Sequence, residues 1–170
     1  MILKNNIVLI GFMGSGKTSV GIRLSYSLKR PLVDTDKWIE QKQKMTVADI
    51  FERDGESAFR RLETECLKAL IKDADRQIIS AGGGLPVKEE NRKLLKQLGK
   101  VFYLKVSPET IYERLKTDTT RPLLQVADPL RQIKALLEER EGIYESCADV
   151  TLEVSESTFD EIIEQMKGLV

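Results

Sequence analysis

The chain has 170 residues, and its 27 lysines and arginines balance 27 aspartates and glutamates to a net charge of zero. That length suits one domain with a core of its own, and the even balance points away from nucleic acid or an anionic membrane as a partner. There is no histidine, which excludes histidine triads, histidine-ligated zinc and a histidine general base.

The elements can be taken in chain order. The start, MILKNNIVLIG, lacks the long apolar core and small-residue cleavage site of a signal peptide. Its apolar part, residues 7–10, reads as a first strand. Residues 18–28 carry Val20, Leu24 and Leu28 on one face and predict a helix. A short strand over 31–33 ends at Asp34. Two short helices are expected over 37–44 and 47–53, and a longer one over 57–72. A third strand, 77–80, is stopped by Gly82, Gly83 and Gly84. A helix over 88–98 and a strand over 100–106 follow. The next helix, 108–115, has Ser107 placed as its N-cap and Pro108 at its first position. Residues 117–128 are polar, contain Pro122 and show no period. A helix over 129–146, a strand over 149–154 and a helix over 158–167 complete the chain.

Strands spaced by helices predict βαβ units, hence a parallel sheet covered on both faces. No apolar run approaches the roughly 18 residues of a membrane span. Cys66 and Cys147 lie far apart without a CxxC pair, as expected of idle thiols in a reducing compartment. A cytoplasmic protein is therefore expected.

In such sheets the ligand sits beyond the carboxyl ends of the strands. At the first of these ends, Gly11-Phe-Met-Gly-Ser-Gly16-Lys17-Thr18 fits the phosphate-binding P-loop pattern G-x-x-x-x-G-K-[ST]. Its glycines let successive amides turn toward one centre, and the helix behind adds free N–H donors. Lys17 suits the β- and γ-phosphates, and the Thr18 hydroxyl suits Mg²⁺. ATP or GTP with Mg²⁺ follows, but not the reaction, since the loop serves motors, switches and kinases alike.

Two further features share that edge. Asp34-Thr35-Asp36 offers two carboxylates, one to hold a metal through water and one to take a hydroxyl proton. Asp36 would equally serve as a cap for the helix that follows. Gly82-Gly83-Gly84 suggests close backbone approach to a ligand, or else a plain sharp turn. Arg60 and Arg61 open a helix. Either would lie on a solvated face or turn inward to clamp a carboxylate with its planar fork.

GFMGSGKT at 11–18, Asp34-x-Asp36, DGESAFRRLE at 54–63, the three glycines and Thr120-Arg121-Pro122-Leu123-Leu124 together resemble the shikimate kinase family, in order and over nearly the whole chain. The resemblance implies a three-layer α/β/α P-loop NTPase fold with a five-stranded parallel sheet. The whole of 1–170 would form one kinase domain, with a substrate-binding helical segment at about 34–62 and a mobile lid at about 116–127. ATP would phosphorylate the 3-hydroxyl of shikimate, a step toward chorismate and the aromatic amino acids.

By the same resemblance, Gly14, Ser15, Gly16, Lys17, Thr18 and Ser19 would bind ATP, with Arg114 beside the adenine. Thr18 would hold Mg²⁺ directly and Asp34 through water. Asp36 would bind the shikimate hydroxyls and serve as base or orienting group. Arg60 and Arg140 would grip its carboxylate. Gly82, Gly83 and Gly84 would line its site, with Phe51 and Phe59 as the apolar wall. Arg121 would come from the lid to stabilise charge on the transferred phosphoryl group. Rival readings are a gluconate kinase, a nucleoside monophosphate kinase and a regulatory nucleotide switch. The family habit implies a monomer.

Overall fold

The computed structural model of the chain describes residues 5–118 and 124–170. In order the elements are β1 (Asn6–Ile10), α1 (Lys17–Leu28), β2 (Leu32–Asp34), α2 (Thr35–Gln43), α3 (Val47–Asp73), β3 (Ile78–Ser80), a short 3-10 turn (Leu85–Val87), α4 (Glu89–Leu98), β4 (Gly99–Lys105), α5 (Pro108–Leu115), α6 (Pro129–Cys147), β5 (Val150–Glu153) and α7 (Phe159–Lys167). The five strands form one sheet in the order β2-β3-β1-β4-β5. Every pairing is parallel; Leu9 of β1 stands opposite Ser80 of β3 on one side and Phe102 of β4 on the other.

All five residues of β1 are buried, as a central strand covered on both faces requires. On the helical layers, α1 packs with α7, while α4 packs with α3 and α6. This is the three-layer P-loop fold with its five-stranded parallel sheet.

Most helix starts follow capping chemistry. Thr46, Ser107, Asp128 and Thr158 each accept a backbone N–H from the first turn of the helix they precede. The main departures from the sequence pattern are local. Helix α2 begins at Thr35 rather than at 37, because its cap is Asp34, whose Oδ1 accepts the Lys37 amide at 3.1 Å. The cap is thus not Asp36, which stands in the first turn. The two helices expected at 47–53 and 57–72 run on as α3. A non-helical Gly55 (φ 84, ψ 173) interrupts it where the sequence places the gap.

The carboxyl ends of β1, β2 and β3 lie side by side. They deliver the P-loop, the Asp34–Asp36 turn and the three glycines to one edge of the sheet. Arg121 and its neighbours at 119–123 lie outside the described residues.

Candidate active site

The P-loop closes on itself. Gly11, Gly14 and Gly16 all have positive φ (154°, 77° and 95°), and Gly16 in the left-handed region is the N-cap of α1. The Lys17 ammonium donates to the Gly11 carbonyl at 2.6 Å and to the Phe12 carbonyl at 3.0 Å. A cavity of about 290 Å³ opens in front of the loop. Gly14, Gly16, Lys17, Thr18 and Ser19 line one side of it; Asp34, Asp36, Gly82 and Gly83 line the other. Ser15 behaves differently from its neighbours. Its amide donates to Phe12 at 3.1 Å, and its buried, unpartnered hydroxyl packs under the loop beside Gly11 rather than into the cavity.

Opposite the loop, two acids meet over one glycine. A Cβ on Gly82 would fall 2.9 Å from Asp36 Oδ1 and 3.2 Å from Glu63 Oε2. Both oxygens are buried and accept no hydrogen bond within the protein. Burial raises the Asp36 pKa above the usual carboxylate range, helped by the neighbouring Asp34 and opposed by Lys17 and Arg60. Burial likewise pushes Glu63 up to about 7, against the pull of the Arg60 charge. Thr35 Oγ1 accepts the Gly82 amide at 3.0 Å and so fixes how closely the glycine turn approaches α2.

The arginine pair of the sequence divides by face. Arg61 is exposed. Arg60 turns inward, its Nη1 on Glu63 Oε1 at 2.6 Å and its Nη2 on Glu56 Oε1 at 3.3 Å. It lies against Gly84, where a Cβ would sit 2.7 Å from Nη1. Arg140 also leaves the solvated face that its acidic neighbours suggest. It is partly buried, with its guanidinium carbon 5.8 Å from the Phe12 ring centre. Phe59 is buried and Phe51, 38% exposed, leans on it with ring centres 4.9 Å apart.

At the other end of the cleft, Arg114 Nη1 donates to the Gly14 carbonyl at 2.9 Å. It approaches Gly16 together with the ring edge of Phe159, which in turn carries Arg23 over its face at 4.7 Å. The sequence pattern singled out neither Phe159 nor Glu63. Glu63 stands inside the FRRLE run, but an Arg–Glu pair three apart reads as an ordinary surface pair on a helix. The two cysteines are buried and their thiols pushed up, Cys66 to about 12 and Cys147 to about 11, chiefly by desolvation. Neither is a nucleophile at neutral pH.

The arrangement is a nucleotide phosphate cradle facing two buried carboxylates and two inward arginines. A model of the family described as shikimate kinase matches residues 13–168. The shikimate kinase of Thermodesulfovibrio yellowstonii is 46% identical over 161 residues, 95% of this chain and 92% of that one. The structure of the shikimate kinase from Acinetobacter baumannii in complex with shikimate superposes with a TM-score of 0.90 at 37% identity, covering 98% of this chain and 92% of that one. A gluconokinase from Sinorhizobium meliloti shares the fold alone, at 20% identity and a TM-score of 0.54. With the family's pattern met from the P-loop to the last helix, the chain belongs to the shikimate kinase family and is an ATP-dependent kinase.

Proposed function

We propose that the cleft between the P-loop and α3 holds shikimate with its 3-hydroxyl on Asp36 and its carboxylate between Arg60 and Arg140. The observation that carries this reading is the Asp36 Oδ1 atom. The residue lines the same cavity as Lys17 and Thr18, while its Oδ1 is buried beside Gly82 without a donor. A substrate hydroxyl in the cavity meets this carboxylate from its open side. The raised pKa makes this carboxylate a better acceptor for the hydroxyl proton as the oxygen attacks. A side chain at Gly82 or Gly84 would run into Asp36, Glu63 or Arg60, so these glycines let the polar groups of the site close in, and Phe51 and Phe59 stand as an apolar wall.

Lys17 and the amides around Gly14 and Gly16 hold the β- and γ-phosphates, with Ser19 at the cavity rim. Ser15 contributes the shape of the loop. The adenine lies beside Arg114, with the Phe159 ring as a second surface. Phosphoryl transfer through a loose transition state asks for placement and charge neutralisation more than for a strong base. Arg121 supplies charge from a lid at 116–127, and 34–62 is the substrate-binding segment of one kinase domain.

Hard oxygen donors suit magnesium bound together with phosphates. The Thr18 hydroxyl and the Asp34 carboxylate both line the cavity, so these residues fit the ion. When bound with ATP, magnesium neutralises charge on the phosphates. Among the described residues no cluster of three histidine, cysteine or acidic side chains forms a metal cage of its own. Among them also, no helix is long and apolar enough to cross a membrane. In this reading the chain is a cytoplasmic monomer acting on ATP and one small acceptor, without nucleic acid.

The test is ADP release with ATP and Mg²⁺ against shikimate, gluconate, AMP and no acceptor. Release that depends on shikimate alone is expected. Release with gluconate or AMP instead would keep the phosphate cradle and discard the acceptor. In the same assay Asp36→Asn should lower kcat by about a hundredfold or more with nucleotide binding kept. Near-normal turnover would remove Asp36 from its role.

A further inference from the structure

We infer that Tyr144 is a positioning residue for the acceptor, acting through the backbone of the glycine turn. The turn has three anchors. At its start, Thr35 takes the Gly82 amide at 3.0 Å. Just beyond its end, the buried Asn91 donates to the Leu85 carbonyl at 3.0 Å. The middle is held from the opposite wall of the cleft, where the Tyr144 hydroxyl donates to the Gly83 carbonyl at 2.6 Å.

The middle anchor sets a direction. In a planar trans peptide the carbonyl and the next amide point opposite ways. With the Gly83 carbonyl held on Tyr144, the Gly84 amide points away from the Tyr144 hydroxyl. No hydrogen bond among the described residues uses the Gly83 or Gly84 amide, and Gly83 lines the cavity. Two adjacent glycines have little intrinsic preference against a flipped peptide, and the tyrosine hydroxyl supplies that preference.

Tyr144 is itself well fixed. It is fully buried, and its ring packs on Tyr103 with centres 5.0 Å apart and planes tilted by 40°. It stands one helical turn beyond Arg140 on α6, so the two share a face. The Arg140 charge acts directly on its hydroxyl, lowering a pKa that burial raises. One hydroxyl therefore ties the glycine turn to the helix that carries the second carboxylate-binding arginine. No charge pattern or period in the sequence marks this residue, because a tyrosine on the buried face of a helix reads as core.

This inference rests on the acceptor reading above, and the experiment separates the two. Wild type, Tyr144→Phe and Tyr103→Phe are compared for shikimate KM, ATP KM, kcat and Tm. Phenylalanine keeps the ring and removes the hydroxyl, with both its bond to Gly83 and its contact with Arg140. Tyr144→Phe should raise the shikimate KM by about tenfold, the worth of one hydrogen bond, with ATP KM within about twofold of wild type. Tyr103→Phe should leave the shikimate KM unchanged. A wild type that does not turn over shikimate would overturn the acceptor reading. An active wild type with the Tyr144→Phe shikimate KM within about twofold would overturn this inference, whatever the Tm. So would parallel rises in both KM values, the mark of a merely structural role. A measurement on the wild type needs no variant. The Gly84 amide resonance should move on addition of shikimate without nucleotide, and an unmoved resonance would also overturn it.

Discussion

Glu63 keeps one carboxylate oxygen on the Arg60 guanidinium and turns the other toward Asp36, with only 1% of its side chain exposed. Its pKa in the folded chain is about 7, against 4.5 for an ordinary glutamate. Below 4.5 the folded and unfolded states both hold the proton, so the group makes no difference. Through the window from 4.5 to 7 the folded state keeps a proton that the unfolded state has lost, and stability falls as pH rises. The accumulated cost reaches about 3 kcal/mol above pH 7. Glu63→Gln keeps an acceptor for Arg60 and removes the titration. Its urea midpoint should change less between pH 5 and pH 8 than that of the wild type. Equal slopes would mean that Glu63 is ionised throughout. For Arg60, truncation to alanine should raise the shikimate KM by about a hundredfold, as loss of a charged, forked contact does. Arg61→Ala, on the exposed face, should change little. The choice of Arg60 over Arg61 came from the family resemblance, and no local pattern carried it. Adjacent residues on a helix point about 100° apart, and only packing decides which one faces inward.

Elements were more readable than side-chain directions, because each strand and helix carries its own period and its own cap. The failures lie where one residue serves two purposes. Asp34 ends β2 and caps α2 at once, so the helix starts directly at the strand's end. The 3-10 turn at Leu85–Val87 is too short to show a period. Gly55 was legible as a break, and its conformation says why. At φ 84° a side chain is strained even though nothing lies within 4 Å of its Cβ position. Gly55→Ala should cost about 1 kcal/mol in urea unfolding. Gly142, inside α6, is the opposite case. A Cβ there would also meet nothing, but its φ is not positive. Gly142→Ala should stabilise by about 1 kcal/mol without altering shikimate KM. If both alanines shift stability the same way, backbone conformation is not what separates these two glycines.

A net charge of zero over the whole molecule hides a strong local concentration. Asp34, Asp36 and Glu63 share one cleft with Lys17, Arg60 and Arg140, brought from β2, α2, α3, α1 and α6. Motif resemblance in the sequence supplied all of them but Glu63. Their convergence also came only with that resemblance, since contacts spanning more than a hundred residues leave no local pattern. Such a site is held open by the elements around it, and in this reading the arginines lack the carboxylate they would receive from the acceptor. Binding should therefore stabilise the folded chain by mass action. Shikimate at about a hundred times its Kd should add about 2.7 kcal/mol, or roughly 5–10 °C in Tm for a chain of this length. ADP with Mg²⁺ should raise Tm separately, through the P-loop. Arg60→Ala should lose the shikimate shift at the same concentration and keep the nucleotide shift, since among the described residues Arg60 pairs with Glu56 and Glu63 and lies against Gly84, none of them in the P-loop. A variant that kept the first shift and lost the second would put Arg60 in the nucleotide site and leave Arg140 to hold the carboxylate alone.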